Sequence, residues 1–496
     1  CSYYDSIPAL YISGAPVTGL LKKNKKLRQL GFQEMEIQEI VSSFTKHSTR
    51  ITDVKKIFYE IEKCVFLAKE GRPGPCIIDL PDDIQRMETS ADEQEIFKPE
   101  VKKLTIDSTK VEKVIKMVKE SKRPIFIIGN GIKISESEKN VKELLRTTKV
   151  PYAATWATYD MFKTDDPQNV GGFGVYATRH GNFAIQNSDL LVILGSRMNS
   201  SLLGSNAKLF APKAKKILID IDPAELNEEN GLKIDLKINC DIKEFLNVLN
   251  NKGIKWQLNQ SWLDKIKKLK KKYPIIQEEY FNQKRLVNPY VFFDTLSNYT
   301  SENDIIIPDA SANLVWAYQA YKISKKQQIF TALNHSPMGY SVAAALGAYL
   351  GSPKNNIIAI IGDGSMQMNI QELENIKSLK LPIKIFLINN SGYGMVKQTC
   401  DTWLDSRYVG CDENSGLSLP DFQKVSKSYG IECIEINNHN DLKEKIKQAL
   451  NHKGPLLCDV KLDPNQRIVP KVKAGSSLHN MLPALDDEEV KSNMRN

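Results

Sequence analysis

Ile357-Ile358-Ala359-Ile360-Ile361-Gly362-Asp363-Gly364, read together with the run Ile383 to Ile388 that closes on Asn389-Asn390, decides the fold of this chain. The first apolar run is short and β-branched and ends on glycine, which reads as a buried strand. Ile370, Leu373, Ile376 and Leu379 then recur at helical spacing, and Pro382 stops that helix. The second apolar run is again a strand. A strand–helix–strand crossover of this kind makes its two strands parallel. Asp363 and the two asparagines therefore fall at carboxyl ends of parallel strands, where open α/β sheets bind ligands. One carboxylate with one amide oxygen is a sparse, hard-oxygen set. It suits Mg²⁺, which keeps its other positions for water and substrate phosphates. Gly362 and Gly364 let the backbone approach a diphosphate closely, and the helix after Gly364 offers its first N–H groups to it.

With 24 residues between Gly364 and Asn389, and Gly394-Met395-Val396 following, the unit resembles the metal–diphosphate motif of thiamine diphosphate enzymes, most of all the acetolactate synthase branch. The resemblance implies Mg²⁺ on Asp363, Asn390 and the main-chain oxygen of Gly392. It implies cofactor contacts from Gly362, Gly364, Ser365, Met366, Asn390, Gly392, Gly394, Met395 and Val396. Met338, in Ser336-Pro337-Met338-Gly339-Tyr340, matches the apolar wedge that bends the cofactor. Ala310 to Asn313 match a cofactor-contacting loop, with Ser311-Ala312-Asn313 standing where the family has residues of the Gly-Gln-His type. Phe32-Gln33-Glu34 and Lys46-His47 match segments that place Gln33 and Lys46 at the active-site mouth across a subunit interface. A homodimer or homotetramer is implied with them. Taken singly, Met338 is equally a core gap filler, Gln33 a loop amide and Lys46 a solvated cation.

The start of the chain, Tyr3-Tyr4-Asp5-Ser6-Ile7-Pro8, matches a segment that lies well inside the family's first domain. About half of that domain, with the family's catalytic glutamate, is therefore expected upstream of Cys1.

The resemblance extends to three doubly wound, parallel-sheet α/β domains. Residues 1–95 are expected to be the C-terminal half of a pyrimidine-binding domain, with a charged, unpatterned linker from Pro81 to Lys103 running across the domain border. A central, Rossmann-like domain is expected at 105–250, a helical connector at 251–288, the diphosphate- and Mg-binding domain at 289–465 and a tail at 466–496. Gly171-Gly172-Phe173-Gly174, Arg197 and Asp220-Ile221-Asp222-Pro223 fall where the family carries FAD. Asn199-Ser200 replace the family's acidic pair there, so FAD stays open.

A length of 496 residues with 41% hydrophobic and 26% charged residues is ordinary for a multidomain globular protein. The net charge of +9 gathers partly at Lys22 to Arg28 and Lys265 to Lys272. No nucleic-acid signature accompanies either cluster, so solvated faces are the better reading, with no nucleic-acid partner. The eight cysteines show no metal spacing, and Cys76 and Cys458 sit in strand-like runs as small core residues, which fits a cytoplasmic setting. No apolar stretch is long enough to span a membrane.

The activity implied is a carboligase. It would decarboxylate pyruvate or another 2-keto acid and pass the acetaldehyde-level unit to a second carbonyl, either pyruvate or 2-oxobutyrate or a keto-sugar nucleotide. Thr399 stands where branched-chain enzymes carry tryptophan, and Arg407-Tyr408-Val409-Gly410 with Met481-Leu482-Pro483 lean toward the sugar acceptor. A decarboxylase or oxidase forming no C–C bond, and a non-catalytic protein on this fold, are the alternatives.

Overall fold

A computed structural model describes residues 1–101, 104–254 and 259–494. Small parts of the linker, connector and tail named above, at 102–103, 255–258 and 495–496, lie outside the described residues. The chain forms two compact units, Cys1–Thr105 with Leu333–His335, and Ile106–Ala332 with Ser336–Asn496.

In the first unit, β1 (Ala9–Ala15), β2 (His47–Arg50) and β3 (Pro75–Pro81) form a parallel sheet in the order β1-β3-β2. β3 is central and its Cys76 and Ile78 are buried against Cys64 and Ala68 of the helix Ile57–Lys69. The apolar pattern from Ile51 predicts a helix starting there, but the helix starts at Ile57. β2 was hidden because His47-Ser48-Thr49-Arg50 has no apolar alternation. It is held from its neighbour instead: Arg50 Nε donates to Asp79 Oδ2 at 2.6 Å, and Ser13 Oγ donates to Asp79 Oδ1 at 2.8 Å.

The second unit contains two larger parallel sheets. The strands β4 (Pro124–Ile128), β5 (Tyr152–Ala154), β6 (Leu190–Leu194), β7 (Lys215–Asp220) and β8 (Leu236–Asn239) run in the order β5-β4-β6-β7-β8. The strands β9 (Asp304–Pro308), β10 (Gln328–Ile329), β11 (Asn356–Gly362), β12 (Lys384–Asn389), β13 (Glu432–Ile436) and β14 (Leu456–Lys461) run in the order β10-β9-β11-β12-β14-β13. These strands are near-continuous apolar runs because helices cover both faces of a parallel sheet. The central strand Ile357–Ile361 is wholly buried.

In the six-stranded sheet the chain leaves β9 toward one edge and returns to β11 on its other side. The order therefore reverses between β9 and β11, and the crevice beyond their carboxyl ends is a topological switch point. In the five-stranded sheet the equivalent reversal falls between β4 and β6. There Gly131 N–H donates to Gly195 O at 3.0 Å, and a Cβ added at Gly129 would stand 2.2 Å from that same oxygen.

The lysine-rich helix Gln260–Lys272 buries Trp262, Ile266 and Leu269 and turns Lys267, Lys268, Lys271 and Lys272 outward. The tail does not hang free: β15 (Lys471–Val472) pairs with β16 (Met481–Leu482), and Arg179 donates to the carbonyl of Pro483 at 2.6 Å.

Candidate active site

β11 delivers Gly362 in an extended conformation, and Asp363 opens a single helical turn, Asp363–Met366. The helical spacing from Ile370 holds through Leu373 and Ile376 in the helix Glu372–Ser378. Leu379 lies beyond its end and is 57% exposed, because Lys380 turns left-handed (φ 52°) before Pro382.

Asp363 is buried. Its Oδ1 accepts the Gly364 N–H at 2.7 Å and its Oδ2 accepts the Gly392 N–H at 3.1 Å. Burial pushes its carboxyl up to about 6, against the downward pull of backbone N–H groups at Gly364, Gly392, Ser391 and Asn390. Among the described residues no cationic side chain contributes to that balance.

The paired asparagines diverge, as successive strand residues must. Asn389 turns to the neighbouring strand, donating to Asp459 Oδ1 at 2.9 Å. Asn390 stands on the helix side, where a Cβ added at Gly394 would lie 2.6 Å from its Nδ2. Gly364 is needed for a similar reason: a Cβ there would lie 2.0 Å from the Tyr393 ring. A Cβ at Gly392 would lie 2.3 Å from the Cys411 carbonyl, and Tyr393 N–H donates to that carbonyl at 2.8 Å. Lys397, almost buried, pairs with Asp412 at 2.9 Å and so ties the helix Gly394–Trp403 to the segment that packs on Gly392.

Across the switch point, Asn313 brings its Nδ2 to 3.0 Å from where a Gly362 Cβ would stand. Ser311 just before it holds φ 66° and ψ −139°, a conformation that suits glycine. Asp309, fully buried at the end of β9, accepts the N–H of Gly339 at 3.2 Å and that of Ser341 at 2.8 Å. Half-buried Met338 directly precedes this pair. Ser365 is buried beside Gly364. Met366 places its side chain in the apolar core with Leu373 and Ile376, so any contact with a diphosphate falls to its backbone. Ala310 is buried, Met395 half-buried and Val396 exposed on the helix Gly394–Trp403.

The donor set fits Mg²⁺. A buried carboxylate lacking a cation, one amide and a backbone carbonyl at glycine are oxygen donors, and among the described residues no group of three His, Cys, Asp or Glu forms a rival metal centre.

In the first unit Gln33 adopts φ 62° behind Phe32, which is 85% exposed. The loop is shaped by Glu34, whose carboxylate accepts backbone N–H groups of Lys22 (2.7 Å), Leu30 (2.8 Å) and Gly31 (3.3 Å). Those bonds hold its carboxyl below the usual range. Lys46 turns its ammonium to the carbonyls of Glu70 and Arg72 at the end of the helix Ile57–Lys69, and burial lowers its pKa.

Gly171 to Gly174 pack within their own chain: Gly174 N–H donates to Asn182 Oδ1 at 2.8 Å, and a Cβ at Gly171 would meet His180 Nε2 at 2.5 Å. Burial takes the His180 imidazole down to about 4, so it stays neutral as a structural group. Arg197 follows β6, and Asp220 closes β7.

Sequence reading passed over Asp309, Asn369, Tyr393, Lys397 and Asp412. Asp309 carried one usable signal, a lone carboxylate directly after an apolar strand. The others act through partners remote in sequence.

Comparison with known proteins defines the class. Residues 309–460 match the thiamine pyrophosphate enzyme C-terminal TPP-binding domain, and residues 111–249 match the thiamine pyrophosphate enzyme central domain. The protein is a thiamine diphosphate enzyme with the sheet and switch point such a cofactor needs.

Within that class it is similar to the acetolactate synthase large subunit of Cyanidium caldarium, 32% identical over 488 residues, covering 96% of this chain and 81% of that protein. It is 30% identical to the chloroplastic acetolactate synthase 1 of Nicotiana tabacum over 490 residues, covering 96% of this chain and 72% of the tobacco protein. The chain belongs to the acetolactate synthase large-subunit family and is a thiamine diphosphate-dependent carboligase. Among the described residues no helix is long and apolar enough to cross a membrane.

Proposed function

We propose that this protein uses Mg²⁺ and thiamine diphosphate to decarboxylate pyruvate and to join the two-carbon unit to a second carbonyl compound. The observation that carries the reading is Asp363, a buried carboxylate at the strand ends whose visible partners are backbone N–H groups. Such a group stores an unfavourable charge that a divalent ion would relieve. Asp363, the Asn390 amide and the Gly392 carbonyl would hold the ion. Ser365, the Met366 backbone and the Asn313 amide would meet the diphosphate. Met338 would support the bent cofactor, and Met395 with Val396 would line the pocket beyond the metal. When bound, thiamine diphosphate supplies the nucleophilic carbon and the electron sink for loss of CO₂. The chain orients the two phosphates and keeps an apolar wall beside the reacting end.

Gln33 and Lys46 belong to the proposal as residues facing the keto-acid carboxylate, presented to a second copy in a homodimer or homotetramer. The exposure of Phe32 beside Gln33 supports that role. A flavin on the five-stranded sheet would lie at the carboxyl ends of β6 and β7, beside Arg197 and Asp220. The visible absorbance of the purified protein decides whether one is carried.

A bulky acceptor, such as a keto-sugar nucleotide, is the second reading. Thr399 is small, exposed and folded back on its own helix, with Oγ1 donating to Met395 O at 3.0 Å. The deciding experiment supplies pyruvate, Mg²⁺ and thiamine diphosphate with a panel of carbonyl acceptors. Acetolactate or a mixed C–C product supports the proposal. Free acetaldehyde or acetyl phosphate as the sole product overturns it, and acetolactate at full rate from pyruvate alone overturns the bulky-acceptor reading.

A further inference from the structure

Gly339 is gripped on both sides by residues that come from the two strand ends flanking the switch point. From the end of β9, Asp309 accepts the Gly339 N–H through Oδ1 and the Ser341 N–H through Oδ2, at 3.2 and 2.8 Å. From beyond β11, past the turn that begins with Asp363, Asn369 donates its Nδ2 to the Gly339 carbonyl at 3.0 Å. Gly339 itself is left-handed, φ 88°, and a Cβ on it would lie 3.0 Å from both Asn369 Nδ2 and Met368 Cβ. The grip therefore needs glycine for its shape and for its space.

Three hydrogen bonds on three successive peptide units leave Met338 little freedom. Its carbonyl carbon is joined to the very N–H that Asp309 holds. The Asp309 carboxylate is fully buried, so the two N–H bonds are its replacement for water, and removing one would leave an unsatisfied group. Asn369 lies three residues after Met366, in the segment that continues the Asp363–Met366 turn.

We infer that Asp309 and Asn369 are positioning residues, a paired clamp on Gly339 that sets the height of Met338. The clamp rests on the proposal that Met338 supports bound thiamine diphosphate. It makes the thiazolium and pyrimidine end of the cofactor sensitive to Asp309 and Asn369, while the diphosphate end is not.

Two probes separate those ends. Inorganic pyrophosphate with Mg²⁺ reports the diphosphate end alone, and thiamine diphosphate with Mg²⁺ reports both. Titration calorimetry on the protein as encoded, and on D309N, N369A, M338A and the pair D309N/M338A, gives the dissociation constants. D309N and N369A should each weaken thiamine diphosphate about tenfold, the effect of a contact worth about 1.4 kcal/mol, with pyrophosphate affinity changed less than about twofold. D309N should add nothing to M338A, because both remove the same contact. The near-ultraviolet dichroism of the bound cofactor should change in D309N and N369A as it does in M338A.

Equal weakening of both probes, or full additivity of D309N with M338A, would overturn the clamp. A protein as encoded that binds neither probe would instead overturn the cofactor site on which it rests. The isosteric D309N keeps one acceptor oxygen, and N369A removes only an edge donor, so a folded sample is expected from at least one of them.

Discussion

Replacing Asp363 with asparagine should stabilise the ligand-free protein while abolishing its response to Mg²⁺ and pyrophosphate. The magnitude comes from the carboxyl itself, displaced from 3.8 to about 6 by burial. That displacement amounts to about 3 kcal/mol. Its sign follows from proton linkage. Between the two values the folded chain retains a proton that the unfolded chain has released, so stability falls as pH rises from 3.8 to about 6 and stays reduced above it. The substituted side chain carries no charge and escapes this cost. Its amide would, however, set an N–H donor against the backbone N–H of Gly364 or Gly392, which costs about 1–2 kcal/mol. The net gain near neutral pH is about 1–2 kcal/mol, or about 1–2 °C in melting temperature for a chain of 496 residues. Thermal melts with and without Mg²⁺ and pyrophosphate test both halves. A saturating ligand at about 100 times its dissociation constant should raise the native protein by about 2.7 kcal/mol and leave the variant unmoved. As pH falls from about 6 toward 3.8 the native protein regains that stability, so the advantage of the variant should shrink and vanish where the remaining charge cost no longer exceeds the cost of the amide. A variant that melts below the native protein near neutral pH, or one that still gains stability from the ligand, would refute the reasoning.

Ser311→Gly should relieve the left-handed backbone at φ 66° and raise stability by about 1 kcal/mol, read as a shift in the denaturation midpoint at constant slope. A loss of stability would mean that the Ser311 side chain makes a contact worth more than the strain. Glu34→Ala should release three backbone N–H groups and open the loop that carries Gln33. Limited trypsin digestion would then cut faster at Lys22 to Arg28, with the rest of the chain unaffected. An unchanged cleavage rate would show that the loop is held by something other than Glu34.

The parallel sheets and the strand ends that carry Asp363 and Asn389-Asn390 were legible in the sequence because their signals are local. Ile357 to Ile361 and Ile383 to Ile388 are too short for helices and too apolar for surface, so only buried parallel strands accommodate them. Gly362 and Gly364 marked close approach, while the crowding at Gly392 and Gly394 emerged only in the structure, and alternation along β12 is what separates Asn389 from Asn390. β2 was not legible, since His47 to Arg50 is polar and is held by Asp79 from the neighbouring strand.

What only the tertiary structure decided is which distant groups finish each local device. Asp309 and Asn369 meet on Gly339 from two strands, and Lys397 meets Asp412 behind Gly392. Lys46, a cation without an assigned partner in the sequence, turns to the carbonyls at the end of a helix. Hydrophobic periodicity records what one segment buries, and so it reveals the elements. Hydrogen bonds between residues far apart in sequence leave no periodic trace, and in this protein those are the bonds that shape the site.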